Sequence, residues 1–428
     1  MTDFSIVIRS LFARRTLTLL TVATVAVAAG LMLVLLTLRD AGADAFRRGP
    51  GTTHLYVAAE PSPLTAVLNG IFYANPPRNA MPWAKYRQIA ESFPWEWAIP
   101  TQLGDSYRGM PVVATTRDFL TRFQPDLSGR WRFAEGRPFE ANFEVVLGAE
   151  AARRSRLKLG DAIILTHGSP GSRGGDVEHH SHEHDEFPYL VVGILEPTGT
   201  PHDRALFTDL ESSWILHAHD RRHHADPSVT MTALEDLLDE DRLITGIMLR
   251  LPTRPGSNVS PAMQQQFDAL RRDTSIAVAQ PEQQIDRLFA IVGSIDRLFI
   301  ALAATTLVGG AISILLVMTG AMELRRRQIA VLRVLGFSRP RIFSLVVTES
   351  AVIGLLGAAA GVVLGVLGMV IASEALRSTL GLVIPAEPRL PWILIVSACT
   401  VALAALAGIA PALTAYRQPV AGGLRGVD

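Results

Sequence analysis

The 428-residue chain holds a single cysteine, Cys399, and only two lysines, Lys85 and Lys158. One thiol excludes an internal disulfide and leaves the redox compartment open. Arginine therefore carries nearly all the positive charge, and 40 basic residues balance 40 acidic ones. That balance removes the basic surplus of a nucleic-acid binder, so no nucleic-acid partner is expected. No glycine precedes a lysine anywhere, which rules out a G-x-x-x-x-G-K-[S/T] phosphate cradle. H-E-x-x-H, G-x-S-x-G and paired-carboxylate signatures are missing as well. The chain reads as non-catalytic, and any ATP and magnesium must be bound by a separate subunit.

What it has instead is four long apolar runs: Leu17–Leu38, Leu298–Met322, Ile342–Ser373 and Leu390–Tyr416. Each exceeds the roughly 20 residues needed to cross about 30 Å of hydrocarbon. Buried helices of soluble proteins show polar positions every third or fourth residue, and these runs nearly lack them. Glu349 is the exception, near the start of the third. Arginines set the orientation. Arg9, Arg14 and Arg15 precede the first run, Arg325 to Arg341 crowd the loop between the second and third, and Arg417 and Arg425 follow the fourth. All three clusters share one side if the chain starts in the cytoplasm of a bacterial inner membrane. Ala26-Val27-Ala28 could mimic a signal-peptide cleavage site, but the apolar run continues to Leu38, which suits an uncleaved anchor.

The expected fold is an α-helical membrane protein with four transmembrane helices and a large α+β periplasmic domain between helices 1 and 2. In numbers, residues 1–16 form a cytoplasmic amphipathic helix and 17–38 the first span. Residues 39–297 form the periplasmic domain, followed by spans 298–322, 342–373 and 391–416. The coupling loop is 323–341, a periplasmic loop 374–390 and a cytoplasmic tail 417–428. Within the domain, an inner lobe takes about 50–118 and 243–282, and an outer lobe about 119–242. Short β-branched pieces at His54–Ala58, Val112–Thr115, Glu144–Leu147, Ala162–Thr166, Tyr189–Ile194 and Ile247–Arg250 read as strands. Pro82–Ser92, Ala149–Arg156 and Ser260–Asp273 read as helices. The near-repeat Ile285-Asp-Arg-Leu-Phe289 and Ile295-Asp-Arg-Leu-Phe299 predicts a stalk helix at 283–297, paired with the continuation of the first span through Leu38–Phe46.

Between the second and third runs, Leu324, Ile329, Leu332 and Leu335 give a helix with one apolar ridge, and arginines occupy the rest. A loop that only fixes topology needs no such ridge, so a docking helix for a cytoplasmic partner is favoured. Gly336 is a natural stop, and Ser338 can cap the next helix. This segment resembles the coupling segment of the FtsX-like, MacB-type family of ABC transporter permeases, usually E-R-x-x-E-I-G-x-L-R-A-x-G. Glu323, Arg326, Ile329, Leu332, Arg333 and Gly336 stand where that pattern expects them, and Leu335 completes the site. Gln328, Ala330 and Phe337 depart from it. Glu135-Gly-Arg-Pro-Phe139, Glu144–Gly148, Leu159-Gly-Asp161, Val192-Gly-Ile-Leu195, Pro411–Ala412 and Leu424–Arg425 are similar to other parts of the family. The resemblance implies a mechanotransmitter: a cytoplasmic ABC ATPase dimer drives two permease copies, or this one with a homologue, through their stalks.

Two further groups stand out. Gly354, Gly357, Gly361, Gly365 and Gly368 are spaced 3, 4, 4 and 3, one bare stripe on the third span that lets another helix approach closely. Ten of the 11 histidines lie between His167 and His224. His179, His180, His182 and His184 sit among acids after a Gly/Ser-rich stretch, and His217, His219, His223 and His224 form a second group. Imidazole with carboxylate suits zinc and similar divalent ions. His202 reads instead as part of the structured outer lobe. Zinc or other metal handling with a periplasmic metal-binding protein is therefore one reading. Extrusion of a lipoprotein, peptide or drug past an incidental loop is another, as is a metal-sensing receptor without transport. Membrane lipids are the remaining expected partner.

Overall fold

The computed structural model describes residues 3–125, 129–167, 186–254, 257–324, 326–380 and 387–417. The chain divides into a helical unit of Met1–Gly42, Val292–Arg377 and Ile384–Asp428, and a mixed unit of Ala43–Ile291 with Ser378–Val383. Helices α1 (Asp3–Ala13) and α2 (Arg15–Arg48) come first. Next are β1 (Leu55–Ala58), α3 (Pro63–Gly70), β2 (Met81–Pro82), α4 (Trp83–Glu91), β3 (Trp97–Tyr107), β4 (Met110–Thr115) and α5 (Asp118–Thr121). The chain continues through β5 (Phe133–Gly136), β6 (Glu144–Leu147), α6 (Ala149–Ser155), β7 (Ala162–Ile163), β8 (Thr166–His167), β9 (Tyr189–Leu195), β10 (Leu206–Asp209) and α7 (Leu210–Ala225). After β11 (Leu243–Ile244), β12 (Gly246–Arg250), α8 (Met263–Leu270) and β13 (Ala277–Ala279) it enters α9 (Pro281–Leu324). Then come α10 (Arg326–Val334), α11 (Arg339–Leu380), α12 (Leu390–Ala407) and α13 (Ile409–Arg417).

One 11-stranded sheet underlies the mixed unit, in the order β13-β1-β12-β3-β4-β10-β6-β9-β5, with β7 on β9 and β8 on β3. Strands from 50–118 and 243–282 fill one half of it, and strands from 119–242, β8 apart, fill the other. The halves meet at the parallel β4–β10 pair, where Val113 faces Phe207. Alternation across each strand sorts side chains between two faces. Tyr56 and Ala58 join Trp97, Ile99, Phe119 and Phe207 on one side, while Leu55 and Val57 join Trp214, Ile247 and Leu249 on the other. Both faces of β1 are thus covered, which is why Leu-Tyr-Val-Ala is an unbroken apolar run. Gly70 and Gly246 make room for the Tyr56 ring, since a Cβ at either would collide with its hydroxyl.

Near the end of α2, Phe46 stacks on Phe72 and meets Phe289 of α9 edge-on, with ring centroids 5.1 and 5.9 Å apart. The exposed pair Arg47–Asp286, 3.8 Å apart, adds little to this contact. His202, read from sequence as part of the structured outer lobe, is buried in the mixed unit. Phe119, Phe123, Trp131 and Phe207 surround its ring, and its Nδ1 shares a 2.6 Å hydrogen bond with the Tyr73 hydroxyl.

Among the described residues, four helical segments are long and apolar enough to cross a bilayer: Arg15–Arg48, Arg297–Gly320, Arg339–Leu376 and Leu390–Arg417. The last, expected as one helix, is interrupted at Gly408 between α12 and α13. Pro411 has no N–H to donate back into the preceding turn, and Gly408 sits at the join. Ala162–Thr166 likewise divides into β7 and β8, each paired with a different strand.

Burial pushes the His202 imidazole down to about 3. The unfolded chain takes up a proton there below about pH 6.5, and the folded chain does not. Stability is complete above that pH and falls by about 1.4 kcal/mol per unit as pH drops toward the folded value. His202→Leu should lose this component in denaturant titrations at about pH 7.5 and 5.5. It should also cost about 1–3 kcal/mol at the higher pH by stranding the Tyr73 hydroxyl. An unchanged pH dependence in the variant would contradict a buried neutral ring.

Candidate functional site

The helical unit is assembled around the glycine stripe of α11. A Cβ built on Gly357 would stand 2.5 Å from Val25 Cγ1, one on Gly361 2.7 Å from the Ala29 methyl, and one on Gly365 2.8 Å from Leu33 Cδ2. Gly368 continues the row against Val34, at 2.9 Å. Steps of four residues on both helices mean that α2 and α11 run in the same direction and stay in register, as a first and third span must. Gly354 faces the other way, onto Ala404 of α12, and one turn earlier Ser350 meets Gly408. On these helices the buried hydroxyls of Thr21, Thr37, Ser350 and Thr400 each bond the carbonyl four residues back.

Polar contacts fasten both ends of this assembly. Arg341 grips Asp3 through Nη2 and Nε at 2.7 and 3.1 Å, and its guanidinium lies 4.3 Å from the Phe337 ring centroid. That hydrogen bond holds the Asp3 carboxyl below the usual range. Seven residues on, Ser10 donates to Glu349 at 2.7 Å. The two rungs set α1 alongside the first turns of α11, with Val7 and Leu11 in a core that includes Ile342 and Val346. At the opposite end of α2, Asp40 accepts from Trp392 Nε1 at 2.7 Å and lies 3.6 Å from Arg389.

The segment expected to couple to a partner lies between α9 and α11. Ile329 and Ala330 of α10 are buried, and Leu332 is half-buried. The apolar residues left outside are Val331, Val334 and Leu335, at 45, 66 and 70 % exposure. Of the ridge inferred from sequence, Ile329 and Leu332 therefore turn inward and Leu335 outward. Gly336, at φ +91°, ends the helix: its N–H reaches the Arg333 carbonyl, and that of Phe337 the Leu332 carbonyl. The side chains of Glu323 and Arg326 fall outside the described residues.

His217, His219, His223 and His224 all ride on α7, a helix that the sequence reading missed. His217 Nε2 lies 3.4 Å from Asp105, buried His219 bonds Thr232, and the His219 and His223 rings stack. Among the described residues, no group of three or more His, Cys, Asp or Glu stands where it could hold a metal ion. His179, His180, His182 and His184 lie outside the described residues. Their flanks do not: β8 pairs with β3 at His167 opposite Asp105, and the Phe187 ring packs 5.0 Å from His219.

A family model described as the MacB-like periplasmic core domain matches residues 18–270, more than half the chain, and the FtsX-like permease C-terminal model matches 300–420. The chain belongs to this family of ABC transporter permeases. It is 26% identical over 180 residues to an uncharacterized ABC transporter permease of Methanocaldococcus jannaschii, over 42% of this permease and 40% of that relative. The match thus spans less than half the relative's length. The extracellular domain of YknZ, a noncanonic ABC-type transporter from Gram-positive bacteria, aligns at a TM-score of 0.27 and 9% identity. That alignment covers 52% of this permease and 98% of that structure. Within the permease, the FtsX-like region contains α10, the glycine stripe and both α11–α12 contacts, while the core-domain match takes in α2 and the sheet as far as α8.

Gly361→Ala should destabilise the detergent-solubilised permease by about 1–3 kcal/mol, because the new methyl meets Ala29 and the Ala26 carbonyl. Gly309→Ala and Gly320→Ala, where a Cβ meets nothing within 4 Å, should leave thermal unfolding unchanged or slightly raised. Equal effects at all three positions would dismiss the close approach.

Proposed function

We propose that this permease is the non-catalytic membrane subunit of a MacB/FtsX-type ABC complex of the bacterial inner membrane. A cytoplasmic ATPase dimer binds ATP and magnesium, and two permease copies, or this one with a homologue, convert its closure into movement of periplasmic domains. The observation that carries the reading is the two-faced α10. Its inner side is rooted in α1 and α11, and its outer side offers Val331, Val334 and Leu335, an apolar strip with no cover of its own. Docked there, a partner that shifts α10 also shifts α1 and α11 through the Asp3–Arg341 and Ser10–Glu349 rungs. The glycine stripe passes the displacement to α2. Helix α9 extends over Pro281–Leu324 as one helix.

A second reading, metal handling by the histidine-rich segment, is supported by the flanks of that segment. Phe187 packs on His219 of α7, and His167 pairs in the sheet with Asp105, which lies 3.4 Å from His217 of the same helix. A divalent ion such as zinc would be cargo or signal there, received from a periplasmic metal-binding protein. Lipoprotein, peptide or drug extrusion is the alternative.

Val334→Asp combined with Leu335→Asp should abolish co-purification of the ATPase while the permease still inserts and elutes as a folded protein. Leu332→Asp should instead lower thermal stability, since that side chain faces inward. Retained co-purification in the double variant would remove the docking assignment. Deleting Gly174–Glu186 should weaken zinc binding in calorimetry without lowering the unfolding temperature, and undiminished binding would leave the segment with no metal role.

A further inference from the structure

Beside the point where β3 and β4 fall out of step, the mixed unit holds a cavity of about 250 Å³ that the coupling scheme leaves unused. Its walls come from the segment after α3, including Tyr73, Asn75, Pro76 and Pro77, from Gly104 of β3, and from Arg154 of α6. The register shift between Leu103 and Ser106 opens it: Gly104 stands at φ +153° with nothing within 4 Å of an added Cβ. Bulges of this kind re-aim side chains and often border functional sites. This one carries Asp105, the one acid among the described lining residues, whose carboxylate meets Ser213 and His217 of α7 at 3.5 and 3.4 Å. Two adjacent prolines fix the wall that follows α3. Tyr73 in the same segment is held at φ +53°, its carbonyl accepting from Arg204 at 2.7 Å. A bulky residue keeps such a conformation only where its surroundings impose it, so the walls are set before any ligand arrives.

What this cavity offers a ligand is one guanidinium and one amide. Arg154 is exposed, and among the described residues no carboxylate lies within ion-pair distance of it. The neighbouring Glu150 is taken by Arg153, through bonds of 2.6 and 2.9 Å. Asn75, also exposed, makes no hydrogen bond among the described residues and keeps both a donor and an acceptor. A guanidinium fork matches the two oxygens of a carboxylate, and a side-chain amide matches a peptide group. We propose that the cavity receives the C-terminal carboxylate of a peptide, gripped by Arg154, with Asn75 on the last peptide group. Pockets for drug-sized ligands start at about 300 Å³, so this space suits one or two terminal residues with the rest of the peptide outside. The inference deepens the extrusion alternative by naming a peptide end as what the mixed unit holds. It calls on neither the ATPase nor a metal ion.

The test uses full-length permease in detergent, without an ATPase, and acetyl-trialanine as the probe. Calorimetry should show saturable binding of the free acid, with its C-terminal amide about tenfold weaker or more. Arg154→Gln should bring the acid down to the level of the amide. Asn75→Trp, which fills the cavity from an exposed segment and keeps the arginine, should abolish binding of both, with thermal unfolding unchanged in each variant. Acid and amide that bind alike, full binding of the acid by Arg154→Gln, or no binding at millimolar concentration overturns the proposal. So does inorganic phosphate that binds as well as the acid, since that marks a bare anion site. Because no ATPase is present, a failure here leaves the docking face of α10 standing, and loss of that docking leaves this result untouched.

Discussion

Close approach between two helices without intervening side chains is the constraint on which the helical unit rests. Hydrocarbon offers no hydrophobic drive to bring helices together, so contact area and backbone proximity must supply the attraction. The stripe from Gly357 to Gly368 provides both, and α2 answers with residues at matching four-residue steps. The remaining contacts are arranged around this seam. Gly354 and Ser350 use the adjacent edge of α11 to seat α12, and Gly310 of α9 approaches Val25 and Ala28 of α2 at ordinary van der Waals distance. Helix α2 therefore touches three neighbours, and its polar anchors sit where the apolar stretch ends.

The mixed unit obeys a different logic. Its sheet is covered on both faces, so strands such as β1 and β6 bury every side chain. Glu144 is an instructive polar member of that set. Arg137 and the backbone N–H groups of Glu140 and Ala141 bind its carboxylate, and these contacts hold it down to about 2. A charge bound in this way fixes the loop before β6, next to the point where the halves of the sheet join.

Much of this was legible in the sequence because the physics was local. Spans need only apolar length, and Gly336 only its ability to adopt a positive φ where α10 stops; spacing put Gly354 on the stripe but did not show that it turns to Ala404 of α12. Strands with a plain β-branched run, Glu144–Leu147 above all, fall within two residues of their expected bounds. Two large elements were invisible for identifiable reasons. Strand β3 carries Pro100 and Gly104, residues that weaken a strand pattern, and its pairing with β4 shifts register between Leu103 and Ser106. Helix α7, L-E-S-S-W-I-L-H-A-H-D-R-R-H-H-A, has no apolar periodicity, so its histidines looked like a loop cluster. The inward turn of Ile329 and Leu332 was hidden too, because a ridge on one helix does not say which neighbour it meets.

The register between α2 and α11 has a genetic corollary. Residues on an α-helix advance by about 100° each. Inserting or deleting a single codon between Glu349 and Gly357 would swing the bare stripe away from Val25, Ala29 and Leu33 while the Ser10 rung stayed in place. Substitution can therefore reshape this stretch, but its length is frozen, and drift in chain length should be confined to connections such as the one between α11 and α12.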